Sequence, residues 1–276
     1  MGVFLSLYSL LRVPGRTFCC YICVGSHLFL LYMTKKNSLV KHKIPASLSS
    51  VEQKLFVASL IDNIKDVKES KHHSLFGVDL SSRKICPNAE MLISILSEIF
   101  QQEFSVNDIY GAEFIIPKAL IKSLTSDDFK TECLAQKEEL LSIWTSISAY
   151  ETIEYINQLL FKINSKEVTP ENARPVIARL LEDFSTGQLW NLSYKAHQRA
   201  CEIILTQKID ERDYPEVLLQ TILEKGLLYI NKGWQVLPFK RWGNQCKQSE
   251  LSKYFFNEVL DIGEDGFNQK PSPEFF

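Results

Sequence analysis

The segment from Ser126 to residue 262 constrains the fold most, because its apolar residues recur almost throughout at three- and four-residue spacing. In the stretch "SAYETIEYINQLLFKI", one helical face carries Ile153, Ile156, Leu160 and Ile163. The chain of 276 residues contains only 11 glycines, which disfavours glycine-rich cofactor folds and favours helices. The pattern predicts a fold that is mainly α-helical.

Local signals mark where these helices begin and end. Thr169 followed by Pro170 is a standard helix entry, Gly233 is a terminating glycine, and Ser249 is a cap for the last helix. The signals predict an all-helical domain over 148–262, arranged as an antiparallel, bundle-like C-terminal part.

Residues 34–147 mix helix and strand signals. Ser49 and Glu52 have the spacing of a capping box, and Asn88 precedes a strongly apolar helix. The strand candidates are "LFGVDL" and "AEFII". We predict a small mixed α/β N-terminal part here, for which a winged-helix arrangement is one option. The Gly/Pro/polar composition of residues 263–276 predicts a disordered tail.

Residues 1–33 form an apolar leader whose only formal charges are Arg12 and Arg16. The 17 uncharged residues from Thr17 to Met33 are near the minimum for a membrane-spanning signal anchor. The polar, basic "MTKKNSLVKHK" that follows is instead typical of the start of a cytosolic protein. In that case the natural start is Met33, and the apolar leader is upstream sequence. A cleaved secretory peptide is disfavoured, because no small-residue cleavage site follows the apolar run.

Composition limits the compartment and the partners. A formal net charge of -2 gives no global attraction to nucleic acid or to a membrane, so such binding needs a local patch. The cysteines beyond the leader are scattered and suggest no disulfide scaffold. This pattern favours a cytoplasmic protein, with a single-pass N-terminal membrane anchor as the alternative.

No catalytic motif or cofactor motif stands out. The chain contains neither a Gly-x-Ser-x-Gly elbow nor a glycine-rich phosphate loop. The pair His72–His73 has no further ligands nearby, and His197 with Cys201 cannot complete a metal site alone. Neighbouring carboxylates such as Glu138–Glu139 point in different directions on a helix. We therefore predict no catalytic residue, no metal and no cofactor.

Three basic sets are the candidates for nucleic-acid contacts. The first is the "KKNSLVKHK" stretch, which could neutralise phosphates. The second is "LPFKRWG", where aromatic and basic residues alternate, although the aromatics could equally anchor a loop while the charges point outward. The third is a basic ridge on the helix that contains His197. Together the candidate residues are Lys35, Lys36, Lys41, Lys43, Lys195, Arg199, Lys240, Arg241 and Trp242.

The stretch "LVKHKIPASLSSVEQKLFVASLIDNI" resembles the opening of plasmid replication initiators, in which a leucine precedes a Glu-Gln-Lys/Arg-Leu run. Ser47-Leu48 and Glu52-Gln53-Lys54-Leu55 stand in that role here, and the resemblance extends over residues 39–160. It implies a winged-helix fold that binds repeated origin DNA without catalysis. The basic wing expected between Phe104 and Phe114 is replaced by "SVNDIYGAE".

These observations predict a non-enzymatic binding protein of the bacterial cytoplasm, associated with double-stranded DNA through a local basic patch. One alternative is a helical protein–protein interaction module that binds an unknown protein partner and no nucleic acid. Another is a membrane-anchored helical protein, if residues 1–33 are translated and inserted.

Overall fold

The computed structural model describes residues 21–24, 27–30, 41–64, 74–75, 85–109, 113–207, 210–241 and 247–276. Helix dominates this part of the chain, which confirms the mainly α prediction. The helices are α1 (Val51–Ile64), α2 (Ala89–Phe100), α3 (Val106–Ile109), α4 (Lys118–Leu124), α5 (Asp127–Leu134), α6 (Lys137–Lys162), α7 (Pro170–Leu181), α8 (Thr186–Gln207), α9 (Tyr214–Lys232), α10 (Glu250–Lys253) and α11 (Asp265–Asn268). Short 3-10 helices lie at Glu211–Asp213 and Pro273–Phe275, and a π-helix spans Tyr254–Val259.

The strands are short. They are β1 (Tyr21–Val24), β2 (His27–Leu30), β3 (Lys41–Lys43), β4 (Ser74–Leu75) and β5 (Glu113–Ile115). The first two pair as an antiparallel hairpin within the apolar leader. The other three form a sheet of order β3-β5-β4, in which β3 is parallel and β4 antiparallel to β5. The strand predicted in "AEFII" is confirmed, whereas most of "LFGVDL" lies outside the described residues.

Helix α6 connects the two halves of the chain. The expected boundary between residues 147 and 148 falls inside this continuous helix of 26 residues. Trp144, Ile147 and Ser148 are all buried there. Helices from both halves of the chain, α1 and α5 from the first and α7 and α8 from the second, pack on α6. The boundary was expected where mixed helix and strand signals give way to helix signals alone, but no glycine or proline interrupts the helix at that point.

Helices α6 to α9 form the predicted antiparallel bundle. Asn157 of α6 binds the backbone of Val168 just before α7, and Tyr214 at the start of α9 contacts the second half of α8. Each pair therefore runs in opposite directions. Gly226 allows α9 to approach α7, since a Cβ at that position would lie 2.5 Å from Cδ2 of Leu180.

The segment 263–276 differs from the expected disordered tail. Phe267 is 1% exposed, and the Trp144 indole donates a hydrogen bond of 3.1 Å to the Gly266 carbonyl oxygen. Phe275 packs edge-on against the same indole, with ring centroids 5.2 Å apart. The aromatic residues hold the segment on α6, despite its glycines and prolines.

Most of the predicted helix ends are confirmed. Asn88 and Ser249 accept hydrogen bonds from the first turns of their helices, and Gly233 ends α9 with φ 64. At α1 the cap lies one residue later than predicted: Ser50 Oγ accepts a hydrogen bond from Gln53 N, and the Gln53 side chain accepts one from Ser49 N. Among the described residues, no helix combines the length and apolar content that crossing a bilayer requires.

Candidate protein-binding surface

The N-terminal basic candidates are only partly within the described residues. Lys35, Lys36 and Trp242 lie outside them. Lys41 and Lys43 belong to the edge strand β3, and Lys43 is exposed. Between them, His42 packs among phenylalanine rings, with ring-centroid distances of 5.1 to 5.5 Å to Phe100, Phe104 and Phe114.

The two basic residues of α8 each have a partner. Lys195 lies over the ring of Tyr229 in α9, with Nζ 5.4 Å from the ring centroid, and its ammonium donates a hydrogen bond of 3.4 Å to the tyrosine hydroxyl. Arg199 forms a surface ion pair of 2.8 Å with Glu202. The charge of Arg199 is therefore compensated locally, whereas that of Lys195 lies next to an aromatic ring.

Arg241 points into the protein, so the expectation that the charges of "LPFKRWG" point outward is wrong for this residue. Its guanidinium donates a hydrogen bond of 2.7 Å to Glu151 in α6, and the two side chains are 9% and 4% exposed. The same guanidinium lies 4.2 Å from the ring centroid of Phe267. The adjacent Lys240 is exposed.

The loop of residues 234–241 is held against α8 by backbone contacts. The Gln188 side chain donates to the Val236 carbonyl oxygen at 2.8 Å, and the Asn191 side chain donates to that of Leu237 at 2.7 Å. The Phe239 amide donates in turn to the Gly187 carbonyl oxygen at 2.9 Å. With Arg241 anchored at its end, this loop has a defined backbone conformation.

The residues at the start of α8 explain how the loop can lie against this helix. Ser185 and Gln188 form a reciprocal capping box: the Gln188 amide donates to Ser185 Oγ, and the Ser185 amide donates to the Gln188 side chain. Gly187 lies under the loop, where a Cβ would approach Phe267, Pro238 and the Phe239 carbonyl oxygen to about 3 Å. A larger residue at 187 would push the loop off the helix.

Large apolar side chains of this loop face solvent although its backbone is tethered. Leu237 is 74% exposed and Trp234 is 53% exposed. Trp234 packs edge-on against Tyr229, and Phe239 lies 5.9 Å from the ring of Tyr194, which is itself 41% exposed. We call this group, Tyr194, Tyr229, Trp234, Leu237 and Phe239, the aromatic surface.

A second group of polar side chains lies between α8 and α9. It consists of His197 and Cys201 of α8 and Tyr214 of α9. The Tyr214 hydroxyl donates to the His197 carbonyl oxygen at 3.0 Å and lies 2.8 Å from its Nδ1 and 3.1 Å from Cys201 Sγ. Burial, followed by the charge of Lys162, lowers the pKa of His197. Burial also raises the pKa of Tyr214, with a smaller contribution from Cys201. The contacts join α8 to α9, so the cluster has a structural role.

The carboxylates have structural partners as well. Glu139 accepts a hydrogen bond of 2.6 Å from the Val51 amide at the start of α1, and Glu182 and Asp183 both pair with Arg179. In the described part of the chain, no group of three or more histidine, cysteine, aspartate or glutamate residues could hold a metal ion.

Comparison of the chain with protein-family models, with curated proteins and with solved structures finds no match.

Sequence reasoning did not identify Trp234 or Leu237 as functional candidates. A signal for them was present: "WQVLPF" directly follows the terminating Gly233 and places large apolar residues in a segment without helical periodicity. Only the hydrogen bonds from α8 reveal that the backbone of this segment is held in place while those side chains stay in solvent.

Proposed function

We propose that this chain is a non-enzymatic binding protein, a helical protein–protein interaction module whose binding site is the aromatic surface. One observation carries the proposal: the 234–241 loop is tethered to α8 at Val236, Leu237 and Phe239, yet it exposes Leu237 and Trp234.

Preorganisation is the physical reason that this arrangement favours binding. A loop whose backbone is already ordered loses little conformational entropy when a partner covers it. Tryptophan and tyrosine are the residues most enriched among those that dominate the affinity of protein interfaces. A cluster of exposed apolar side chains lowers its free energy when a partner removes it from water.

Association with double-stranded DNA is the second candidate, as the resemblance to plasmid replication initiators implies. It is favoured by the position of Lys41 and Lys43 on the edge strand β3, at the end of the basic sequence that begins with Lys35 and Lys36. It predicts a gel shift with duplex DNA that weakens with salt and is lost when Lys41 and Lys43 are replaced by glutamine.

Site-specific photocrosslinking tests the interaction module. A benzophenone amino acid at position 237, introduced into the full chain in its native host, should give a discrete protein adduct. The same group at Leu205, which is 80% exposed at the other end of α8, is the matched control. The adduct should disappear with Trp234→Ala. Equal crosslinking from positions 205 and 237 would contradict the proposal, because exposure alone would then explain the reaction.

A further inference from the structure

Three lysines lie within four residues of members of the aromatic surface, and an acidic side chain at the end of its loop, Glu264, faces Arg241 at 3.7 Å. Lys225 and Lys232 lie four residues before and three residues after Tyr229, on the same side of α9, and Lys240 directly follows Phe239. Lys232 and Lys240 are exposed. Within the described ranges, neither of these two lysines forms an ion pair with another described residue. Each can therefore pair with a carboxylate of a partner.

No carboxylate occupies the neighbouring helical positions. Around Tyr194 and Tyr229, the positions three and four residues away hold Trp190, Asn191, His197, Gln198, Lys225, Gly226, Lys232 and Gly233. Together with Lys195, which lies over the Tyr229 ring, these positions give the surface an apolar centre and, along its helical side, a basic border.

A second copy of the chain does not suit such a surface. An isologous interface would place the same patch on both subunits, so the lysines of one copy would face those of the other. Like charges that face each other across an interface disfavour association. The occupant must therefore contribute negative charge.

A nucleic acid supplies that charge, but the apolar centre fits a polypeptide better. Leu237 is the most exposed member of the surface, and an aliphatic side chain provides no stacking face for a base. Of the arginines nearest in sequence, Arg241 is buried against Glu151, and Arg199 is paired with Glu202 on the surface.

We infer that the aromatic surface binds an acidic, apolar segment of another protein. An aliphatic or aromatic side chain of that segment packs on Trp234 and Leu237, while its carboxylates pair with Lys232 and Lys240. The inference rests on the proposed interaction module and adds the chemistry of the partner.

Two helical peptides of equal length test the inference with the purified full chain. They share leucine and phenylalanine anchors at successive helical turns and differ only in carrying glutamate or lysine at the remaining positions. Fluorescence anisotropy of the labelled peptides gives the dissociation constants, and an unlabelled oligothymidylate serves as a competitor. We expect the glutamate peptide to bind at least about tenfold more tightly than the lysine peptide.

Variants locate the binding. Trp234→Ala should abolish binding of the glutamate peptide, and the double change Lys232→Glu with Lys240→Glu should reverse the preference between the two peptides. Leu205→Ala, the control outside the surface, should change neither constant. All of these positions are exposed, so the urea midpoints of the variants should match that of the parent chain.

Three results would overturn the inference: equal affinity for the two peptides, no binding of the glutamate peptide at about 1 mM, or displacement of that peptide by the oligothymidylate. A discrete crosslink at position 237 together with either of the first two results would still support the interaction module. It would contradict only the inference that the partner is acidic.

Discussion

Removal of the Arg241 guanidinium is the most informative test of this structure. Arg241→Met keeps most of the side-chain length but leaves the Glu151 carboxylate buried without its cation. It also removes the cation from the face of Phe267, 4.2 Å away, and releases one end of the 234–241 loop. The variant therefore probes both global stability and the geometry of the aromatic surface.

The Arg241 and Glu151 side chains are 9% and 4% exposed, so Arg241→Met breaks a buried ion pair. The variant should therefore have a free energy of unfolding that is lower by about 3–5 kcal/mol. The pair Arg199–Glu202 is the matched control, because its side chains are 60% and 63% exposed. Arg199→Met should cost less than about 1 kcal/mol. The double variant Arg241→Met with Glu151→Met should be more stable than Arg241→Met alone, because it leaves no unpaired buried charge.

Urea unfolding followed by circular dichroism measures these differences, and amide hydrogen exchange follows the loop. The Phe239 amide, bonded to the Gly187 carbonyl oxygen, should exchange faster in Arg241→Met than in Arg199→Met. Equal unfolding free energies for the two single variants would refute the reasoning, since burial would then make no difference to the pair.

Three further changes test other parts of the fold. Gly266→Ala should cost about 1–3 kcal/mol in urea unfolding, because the added methyl group collides with the buried Phe256 ring; an unaltered midpoint would mean that the C-terminal segment is not docked. Ser185→Ala should cost about 1 kcal/mol in the same assay, and Thr169→Ala, which removes no capping hydrogen bond, should cost clearly less. Burial lowers the pKa of His197 below its usual 6.5, so the unfolded chain binds more protons as the pH falls through that value and stability should decrease. His197→Gln should flatten this dependence between about pH 7.5 and about pH 5.5, and an unchanged slope in urea midpoints would contradict the assignment.

Most of the helices could be predicted from the sequence, because the responsible interactions are local. The caps at Asn88 and Ser249 join residues three apart, and the terminating Gly233 acts through its own backbone angle. Apolar spacing reports the buried face of each helix in the same way. The strand "AEFII" followed from its composition and the proline after it.

The continuity of α6 and the docking of the tail could not be predicted in this way. The strand signals end near residue 147, but α6 continues through this point, and helices from both halves of the chain pack on it. The tail is rich in residues typical of disorder, and it is ordered by the contacts of Phe267 and Gly266 with distant aromatic rings.

The candidate site shows the same division. Sequence reasoning selected Arg241 for its aromatic neighbours. It gave no indication that the Arg241 guanidinium would pair in the interior with Glu151, 90 residues earlier. It selected Lys195 as part of a basic ridge with Arg199, whereas the structure places the Lys195 ammonium over the ring of Tyr229. It passed over Trp234 and Leu237, since nothing local indicates that hydrogen bonds from α8 hold their backbone.

The sequence by itself determined the helical class of this protein, the ends of its main helices and which face of each helix is apolar. These properties depend on interactions within about one helical turn, so neighbouring residues suffice to specify them. Only the tertiary structure decided which charges are buried and which apolar side chains remain in solvent. Burial depends on residues that lie far apart in the chain, and their meeting is settled only when α6, α8 and the 234–241 loop pack together.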